Sequence, residues 1–114
     1  MPRVLVADDD PMITLLLRSA FEQAGYAVSE ASDGKAVIRK YRQEEADLII
    51  LDLMMPEKEG IETIMELRRD FPDVKIIAIT GGLRGQADVL LNAAKDLGAI
   101  WGFKKPLYPE DLLD

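Results

Sequence analysis

Carboxylate side chains follow two strongly apolar segments of the chain. Residues 48–51 are four consecutive large apolar residues, and Asp52 comes directly after them. A shorter apolar segment, residues 4–7, is followed by three aspartates at residues 8–10. An apolar run without polar alternation is typical of a strand that is buried on both faces of a parallel sheet. An acid at the end of such a strand is poorly placed for stability, so these positions indicate chemistry.

The residue types at these two strand ends suit metal-assisted phosphoryl chemistry. Asp8, Asp9 and Asp52 offer only oxygen ligands, and crowded carboxylates repel one another unless a cation lies among them. A few carboxylates, a backbone carbonyl and water molecules are the ligands that Mg²⁺ prefers. A carboxylate can also be a nucleophile that forms an acyl phosphate. Asp52, in the middle of the row of predicted strand ends, is the best-placed acceptor.

Groups that complement a phosphoryl group follow two later strand-like segments. Thr80 offers a hydroxyl and Gly81 a backbone N–H that can approach closely, while Lys105 offers a compact positive charge. Each of these residues alone is more often an ordinary strand-end or turn residue. Five such residues at one sheet edge, namely Asp8, Asp9, Asp52, Thr80 and Lys105, favour a functional site.

Composition excludes several classes of function. The chain of 114 residues has no cysteine and no histidine, which excludes disulfides, thiolate metal sites, histidine-dependent catalysis and a phosphohistidine on this chain. A formal net charge of -7 argues against direct binding to nucleic acid or to an anionic membrane. No apolar segment approaches the ~20 residues of a membrane helix, and we see no signal peptide. We therefore expect one cytoplasmic domain over residues 1–114.

Strand-like and helical segments alternate along the whole chain. Strands are predicted over residues 3–8, 26–31, 48–52, 75–80 and 99–103. The first helix, opened by Pro11 and closed by Gly25, has one predicted apolar stripe. Its members are Ile13, Leu16, Leu17, Ala20, Phe21 and Ala24. This alternation predicts an α/β fold with a parallel sheet and helices on both of its faces.

The polarity of the strands predicts their order in the sheet. The segment 26–31 is the most polar, which favours a sheet edge, whereas 48–51 must be buried. The order 2-1-3-4-5 of a flavodoxin-like, doubly wound (βα)5 sheet fits best. In that order the acids of the first and third strands meet at a topological switch point, where neighbouring strands are ~4.8 Å apart.

The motifs together resemble the receiver domain of bacterial two-component response regulators, and the Thr-Gly-Gly sequence is similar to that of many single-domain receivers. They are V-x-D-D at the first strand end, L-D-L-x-M-P at the third, I-x-x-T-G at the fourth and K-P at the fifth. The resemblance implies Asp52 as the phosphoacceptor and Asp8 and Asp9 as the acidic pair that holds Mg²⁺. It further implies the backbone carbonyl of Met54 as a metal ligand, Thr80 as the switch hydroxyl and Lys105 as the phosphate-contacting lysine, before a cis bond to Pro106.

The resemblance implies a phosphorylation-dependent switch and not an enzyme with turnover. Such a domain takes a phosphoryl group from a sensor histidine kinase or a histidine phosphotransfer protein, partly catalyses its own phosphorylation, and loses the group by hydrolysis. Its output is a changed protein surface for an effector or a fused output domain, with a homodimer left open. The rivals are a Mg²⁺-dependent aspartyl-phosphate phosphatase, a receiver that no longer accepts phosphate, and a flavin-binding protein. The phosphatase needs an acid where this chain has Met54.

Two parts of the chain depart from the family pattern. The family usually has Tyr or Phe three residues before the lysine, where this chain has Gly102. Either Trp101 or Phe103 substitutes for that aromatic residue, or the coupling to Thr80 is absent, and Trp101 is expected to be partly buried. The last helix, residues 110–114, is truncated to about one turn where the family has roughly three.

Overall fold

The structure, a computed structural model, describes residues 2–53, 60–81 and 86–104. Strands and helices alternate throughout these ranges. The strands are β1 (Arg3–Ala7), β2 (Ala27–Ala31), β3 (Leu48–Asp52), β4 (Ile76–Thr80) and β5 (Trp101–Lys104). The helices are α1 (Pro11–Gln23), α2 (Gly34–Gln43), α3 (Gly60–Asp70) and α4 (Gln86–Asp96). The predicted last helix lies outside the described residues.

The five strands form one parallel sheet in the order β2-β1-β3-β4-β5, which confirms the predicted order. Every residue of β4 is buried, whereas β2 lies at the edge and exposes Ser29. The polar character of β2 is tolerated because an edge strand has a neighbour on one side only. The chain passes from β1 to β2 on one side of β1, and β3 then pairs with β1 on its other side. The strand order reverses between β1 and β3, and this reversal is the switch point.

Alternate residues of the central strands face two separate apolar clusters. On one face, Leu5 and Ile49 pack with side chains of α2, α3 and α4. On the other face, Val4 and Ile50 pack with Leu17 and other side chains of α1. Because both faces are covered, β1, β3 and β4 are apolar at nearly every position, which is the pattern seen in the sequence. Their carboxyl ends are therefore held rigidly.

Side-chain caps fix where the first two helices begin. The Asp10 carboxylate accepts a hydrogen bond from the Met12 N–H, and Pro11 occupies the first turn of α1. The Asp33 carboxylate accepts one from Ala36 N–H at 2.8 Å at the start of α2. The sequence allowed Asp9 or Asp10 as the first cap, and the structure assigns it to Asp10. Asp9 is therefore not needed for capping.

The apolar stripe predicted for α1 is wrong at two positions, Leu16 and the last residue of the stripe, which are both exposed. Leu16 is 41% exposed, whereas Thr14 is 8% exposed and lies on the buried face with Leu17 and Phe21. The Thr14 hydroxyl donates a hydrogen bond to the Asp10 carbonyl oxygen at 3.2 Å, so its polar group is satisfied inside. The buried face of α1 is therefore rotated relative to the stripe drawn from apolar residues alone.

Trp101 was expected to be partly buried, and this expectation is also wrong. Its side chain is 61% exposed. Trp101 pairs with Ile77 in the ladder between β4 and β5, at the opposite sheet edge from β2. Among the described helices, α1 lies on that face and packs on β1 and β2, so it does not cover Trp101.

Candidate functional site

Asp8, Asp9 and Asp52 converge where β1 and β3 end. One carboxylate oxygen from each lies within 4.8 Å of those of the other two. Asp8 and Asp52 are each only 3% exposed, while Asp9 is open to solvent. Two buried acids beside a third raise the electrostatic energy of the folded chain unless positive charge is near. The predicted acidic cluster is thus present, in the predicted place.

Hydrogen bonds from both main-chain and side-chain groups hold the turn that carries Asp8 and Asp9. The Asp8 N–H extends the ladder by donating to the Ala31 carbonyl oxygen at 3.2 Å. One carboxylate oxygen of Asp8 accepts from the Asp10 N–H at 2.9 Å. The Thr14 hydroxyl reaches the carbonyl oxygens of Asp8 and Asp10 from α1. Sequence analysis missed this role of Thr14, although a threonine four residues after a helix cap is a signal for such a bond.

Asp52 is the last residue of β3 and is held by the strand beside it. It lies opposite Ile79 in the register of β3 and β4. The N–H of Leu53 then donates to the Ile79 carbonyl oxygen at 2.9 Å, so the ladder continues one residue past the acid. The Leu53 side chain is 2% exposed and anchors this step in the core. The peptide that follows Asp52 is therefore fixed on both sides.

The spacing of the three carboxylates fits an octahedral hard cation. Ligands at 2.0–2.1 Å from Mg²⁺ place opposite oxygens about 4.2 Å apart and adjacent oxygens closer. The candidate oxygens lie within 4.8 Å of one another, so a shared cation would draw them closer together. The donors are all carboxylate oxygens, which suit Mg²⁺ better than a transition metal. Exposed Asp9 leaves an open side for water or for a ligand of the cation.

The structure describes only some of the remaining predicted site residues. Thr80 is the last residue of β4 and is fully buried, and Gly81 follows it at the same edge of the sheet as Asp52. The structure therefore brings Thr80 to the strand end next to the acids. Met54, Lys105 and Pro106 lie outside the described residues.

A cleft of about 520 Å³ opens beside the acids, between α1 and α2. Asp8 and Asp9 lie at one end, and Arg18, Arg39 and Lys40 contribute to its lining. Arg18 forms an ion pair with Glu30, and this hydrogen bond, followed by the nearby charge of Glu22, raises the pKa of the Arg18 guanidinium above its usual value. The cleft thus joins negative and positive groups at a solvent-open entrance.

At Gly102, an added side chain would meet two side chains of α4. A Cβ atom at Gly102 would lie 3.0 Å from the Leu91 Cδ2 atom and 3.4 Å from the Lys95 Cε atom. Phe103 packs with the cluster on the opposite face of the sheet, and Trp101 is largely exposed. Within the described part of β5, neither neighbour fills the place of the aromatic residue that the family usually has. Leu91 and Lys95 occupy that face instead.

Fold and site together define a doubly wound α/β domain with an acidic cluster at its switch point. A family model described as the response regulator receiver domain matches residues 4–114. Chemotaxis protein CheY of Thermotoga maritima is 33% identical over 113 residues, which are 98% of this chain and 92% of that protein. The chain therefore belongs to the response regulator receiver domain family, a family of phosphorylation-dependent signalling switches.

Other relatives and structures agree with this membership. The transcriptional regulatory protein PhoP of Bacillus subtilis is 36% identical over 110 residues, which cover 96% of this chain but 45% of PhoP. The structure of response regulator protein TrrA from Thermotoga maritima, in complex with Mg²⁺-BeF, has a TM-score of 0.83 at 32% identity. That match covers 99% of this chain and 94% of TrrA. The chain thus spans nearly all of some relatives and less than half of others.

No helix within the described ranges is both long and apolar enough to cross a membrane.

Proposed function

We propose that Asp52 is the phosphoacceptor of this receiver domain. The observation that carries the proposal is the convergence of Asp52 with Asp8 and Asp9, with their candidate oxygens within 4.8 Å of one another at the switch point. Asp52 is at the centre of the described sheet, on β3, with β1 and β4 on either side. A nucleophile there is surrounded by strand ends that can contribute further groups.

Mg²⁺ is the proposed cofactor, held by the carboxylates of Asp8, Asp9 and Asp52 and by the backbone carbonyl of Met54. When bound, it neutralises the clustered negative charge and binds oxygens of the transferred group. The TrrA structure holds Mg²⁺ with BeF, which supports the same ion for this chain. The all-oxygen donor set and the separation of the acids support it independently.

The proposed chemistry is an in-line transfer between a phosphohistidine and Asp52. A carboxylate oxygen of Asp52 attacks phosphorus, the P–N bond to the donor imidazole breaks, and the imidazole nitrogen retains the electron pair and takes a proton. The product is an acyl phosphate, which water later hydrolyses to phosphate and the free carboxylate. The domain thereby contributes to its own phosphorylation and dephosphorylation, because its residues position the reacting atoms.

The added charge at Asp52 is proposed to recruit Thr80 and Lys105. The Thr80 hydroxyl would donate to a phosphoryl oxygen from the adjacent strand end, assisted by the Gly81 N–H, and Lys105 would pair with another oxygen. Movement of the 80–105 region would then change the surface formed by α4 and β5. Because Gly102 is packed against Leu91, this change would pass through α4 and not through an aromatic side chain on β5.

The proposed partners are a sensor histidine kinase or a histidine phosphotransfer protein and a downstream effector or fused output domain. The donor would approach from the cleft between α1 and α2, where Asp9 and Arg39 are exposed. We further propose that residues 1–114 act as one receiver domain in the cytoplasm, without direct contact to nucleic acid or membrane, with a homodimer left open.

Intact mass measurement after incubation with acetyl phosphate tests the acceptor directly. Wild type and Asp52→Asn are compared, each with Mg²⁺ and with EDTA. The expected result is one added phosphoryl group on wild type with Mg²⁺ only. If neither protein is modified, the active-receiver proposal is wrong. If Asp52→Asn is modified equally, the acceptor is another residue, with Asp8 and Asp9 the first to examine.

A further inference from the structure

Gly60, the first residue of α3, lies against the main chain that carries Asp52. A Cβ atom built on Gly60 would be 2.4 Å from the Leu53 Cα atom and 2.8 Å from the Asp52 carbonyl oxygen. These are backbone atoms, which cannot rotate aside as the end of a flexible side chain does. The Gly60 N–H also donates a hydrogen bond to the Leu53 carbonyl oxygen at 3.2 Å. Only glycine permits this approach.

Neither side of this contact has freedom to withdraw. Ile64 and Leu67, one and two turns further along α3, are both 0% exposed and fix the helix on the sheet. On the other side, Leu53 is tied to β4 through its N–H and to the core through its buried side chain. A clash at Gly60 is therefore concentrated on the peptide between Asp52 and Leu53.

We propose that Gly60 is a positioning residue for the phosphoacceptor, an inference that rests on the proposed role of Asp52. Because Gly60 has no side chain, the start of α3 can pack directly against the main chain of Asp52 and hold it in one position. Ordinary contacts of a Cβ atom begin near 3.4 Å, so alanine at this position would force the two main chains apart by about 1 Å. In-line phosphoryl transfer depends chiefly on positioning, and a misplacement of 1 Å can cost about 10²-fold in rate.

The test compares Gly60→Ala with Gly98→Ala in the full chain. Gly98 has a φ of +110°, and a Cβ there would meet the flexible Arg68 side chain, Nε at 2.8 Å, so this control also strains the fold. Gly98 lies just before β5, away from the carboxyl edge that carries Asp52. Urea titrations give the folded fraction of each variant. Phosphorylation by acetyl phosphate at saturating Mg²⁺ is followed by intact mass, and rates are expressed per folded molecule.

We expect Gly60→Ala to be phosphorylated about 10- to 100-fold more slowly than wild type, and Gly98→Ala within about twofold of wild type. A merely structural role for Gly60 would lower the folded fraction without changing this corrected rate. A corrected rate of Gly60→Ala within about twofold of wild type overturns the proposal.

Folding of the variant is controlled by repeating the rates in trimethylamine N-oxide, which favours the folded state. If Gly60→Ala stays unfolded there while Gly98→Ala folds, Gly60 is required for the fold and the proposal is wrong. If wild type is not phosphorylated, the proposed acceptor function is wrong. That result differs from a wild type that is phosphorylated and a Gly60→Ala variant that matches it, which would contradict only the inference about Gly60.

Discussion

Replacing Asp8 by asparagine is expected to stabilise the domain in the absence of Mg²⁺. The Asp8 and Asp52 side chains are each 3% exposed, and their candidate oxygens lie within 4.8 Å. At an effective dielectric constant of about 20, two unit charges at that separation repel by about 3 kcal/mol. Both residues also have further interactions in the fold, so the expected gain is set below the full repulsion. We therefore expect Asp8→Asn to raise the free energy of unfolding by about 1–2 kcal/mol in EDTA.

Asparagine at this position should leave the local hydrogen bonds intact. Its side-chain oxygen can still accept the bond that the Asp10 N–H donates to Asp8 at 2.9 Å. What is lost is one negative ligand of the proposed cation. A ligand present at ten times its dissociation constant stabilises the native state by about 1.4 kcal/mol. Wild type should show this gain with Mg²⁺, and Asp8→Asn should show little of it at the same concentration.

Urea unfolding followed by circular dichroism, in EDTA and in Mg²⁺, measures both effects. Glu45→Gln is the matched control because it removes one negative charge at an exposed position far from the cluster. It should change the free energy of unfolding only slightly and keep the response to Mg²⁺. If Asp8→Asn is less stable than wild type in EDTA, or gains as much from Mg²⁺, the reasoning about the acidic cluster is refuted.

Three further predictions concern the fold. Leu17→Ala should lower the free energy of unfolding by about 2–5 kcal/mol in urea titrations, because Leu17 is buried. Leu16→Ala should lower it by less than about 1 kcal/mol, because Leu16 is exposed. Equal losses would contradict the observed buried face of α1. Asp33→Ala should cost about 1 kcal/mol in the same assay by removing the cap of α2. Burial of the Tyr41 phenol raises its pKa, and the negative charges of nearby acids raise it further. The unfolded chain therefore loses this proton first, and stability should fall as pH rises above about 10. Tyr41→Phe should weaken that fall in thermal melts, and an identical pH profile would contradict it.

The strand order of the sheet could be predicted because the apolar content of a strand depends on how far it is buried. The unbroken apolar run of β3 required neighbours on both sides and cover on both faces, and the polar residues of β2 required an edge. Together with right-handed crossovers these constraints leave few strand orders, of which 2-1-3-4-5 fits best. The acids Asp8 and Asp52 could be predicted for the same reason, because each directly follows an apolar strand.

Features that depend on specific contacts in the folded chain could not be predicted from the apolar pattern alone. The burial of Thr14 requires the carbonyl oxygens of the preceding turn as partners, so the apolar pattern misplaced Leu16. The importance of Gly60 is visible only once α3 is packed against the end of β3, because the sequence shows merely a glycine after a polar turn. Trp101 was expected to be partly buried, whereas α1, the described helix on its face of the sheet, packs on β1 and β2 and leaves Trp101 exposed.

The most direct test of the central claim is chemical mapping of the phosphorylated residue. An acyl phosphate on aspartate is reduced by borohydride to homoserine, whereas a free carboxylate is not. Wild type is treated with acetyl phosphate and Mg²⁺, reduced, digested and sequenced by mass spectrometry. We expect homoserine at position 52 and none in the EDTA control. Homoserine at position 8 or 9, with intact aspartate at position 52, would contradict it.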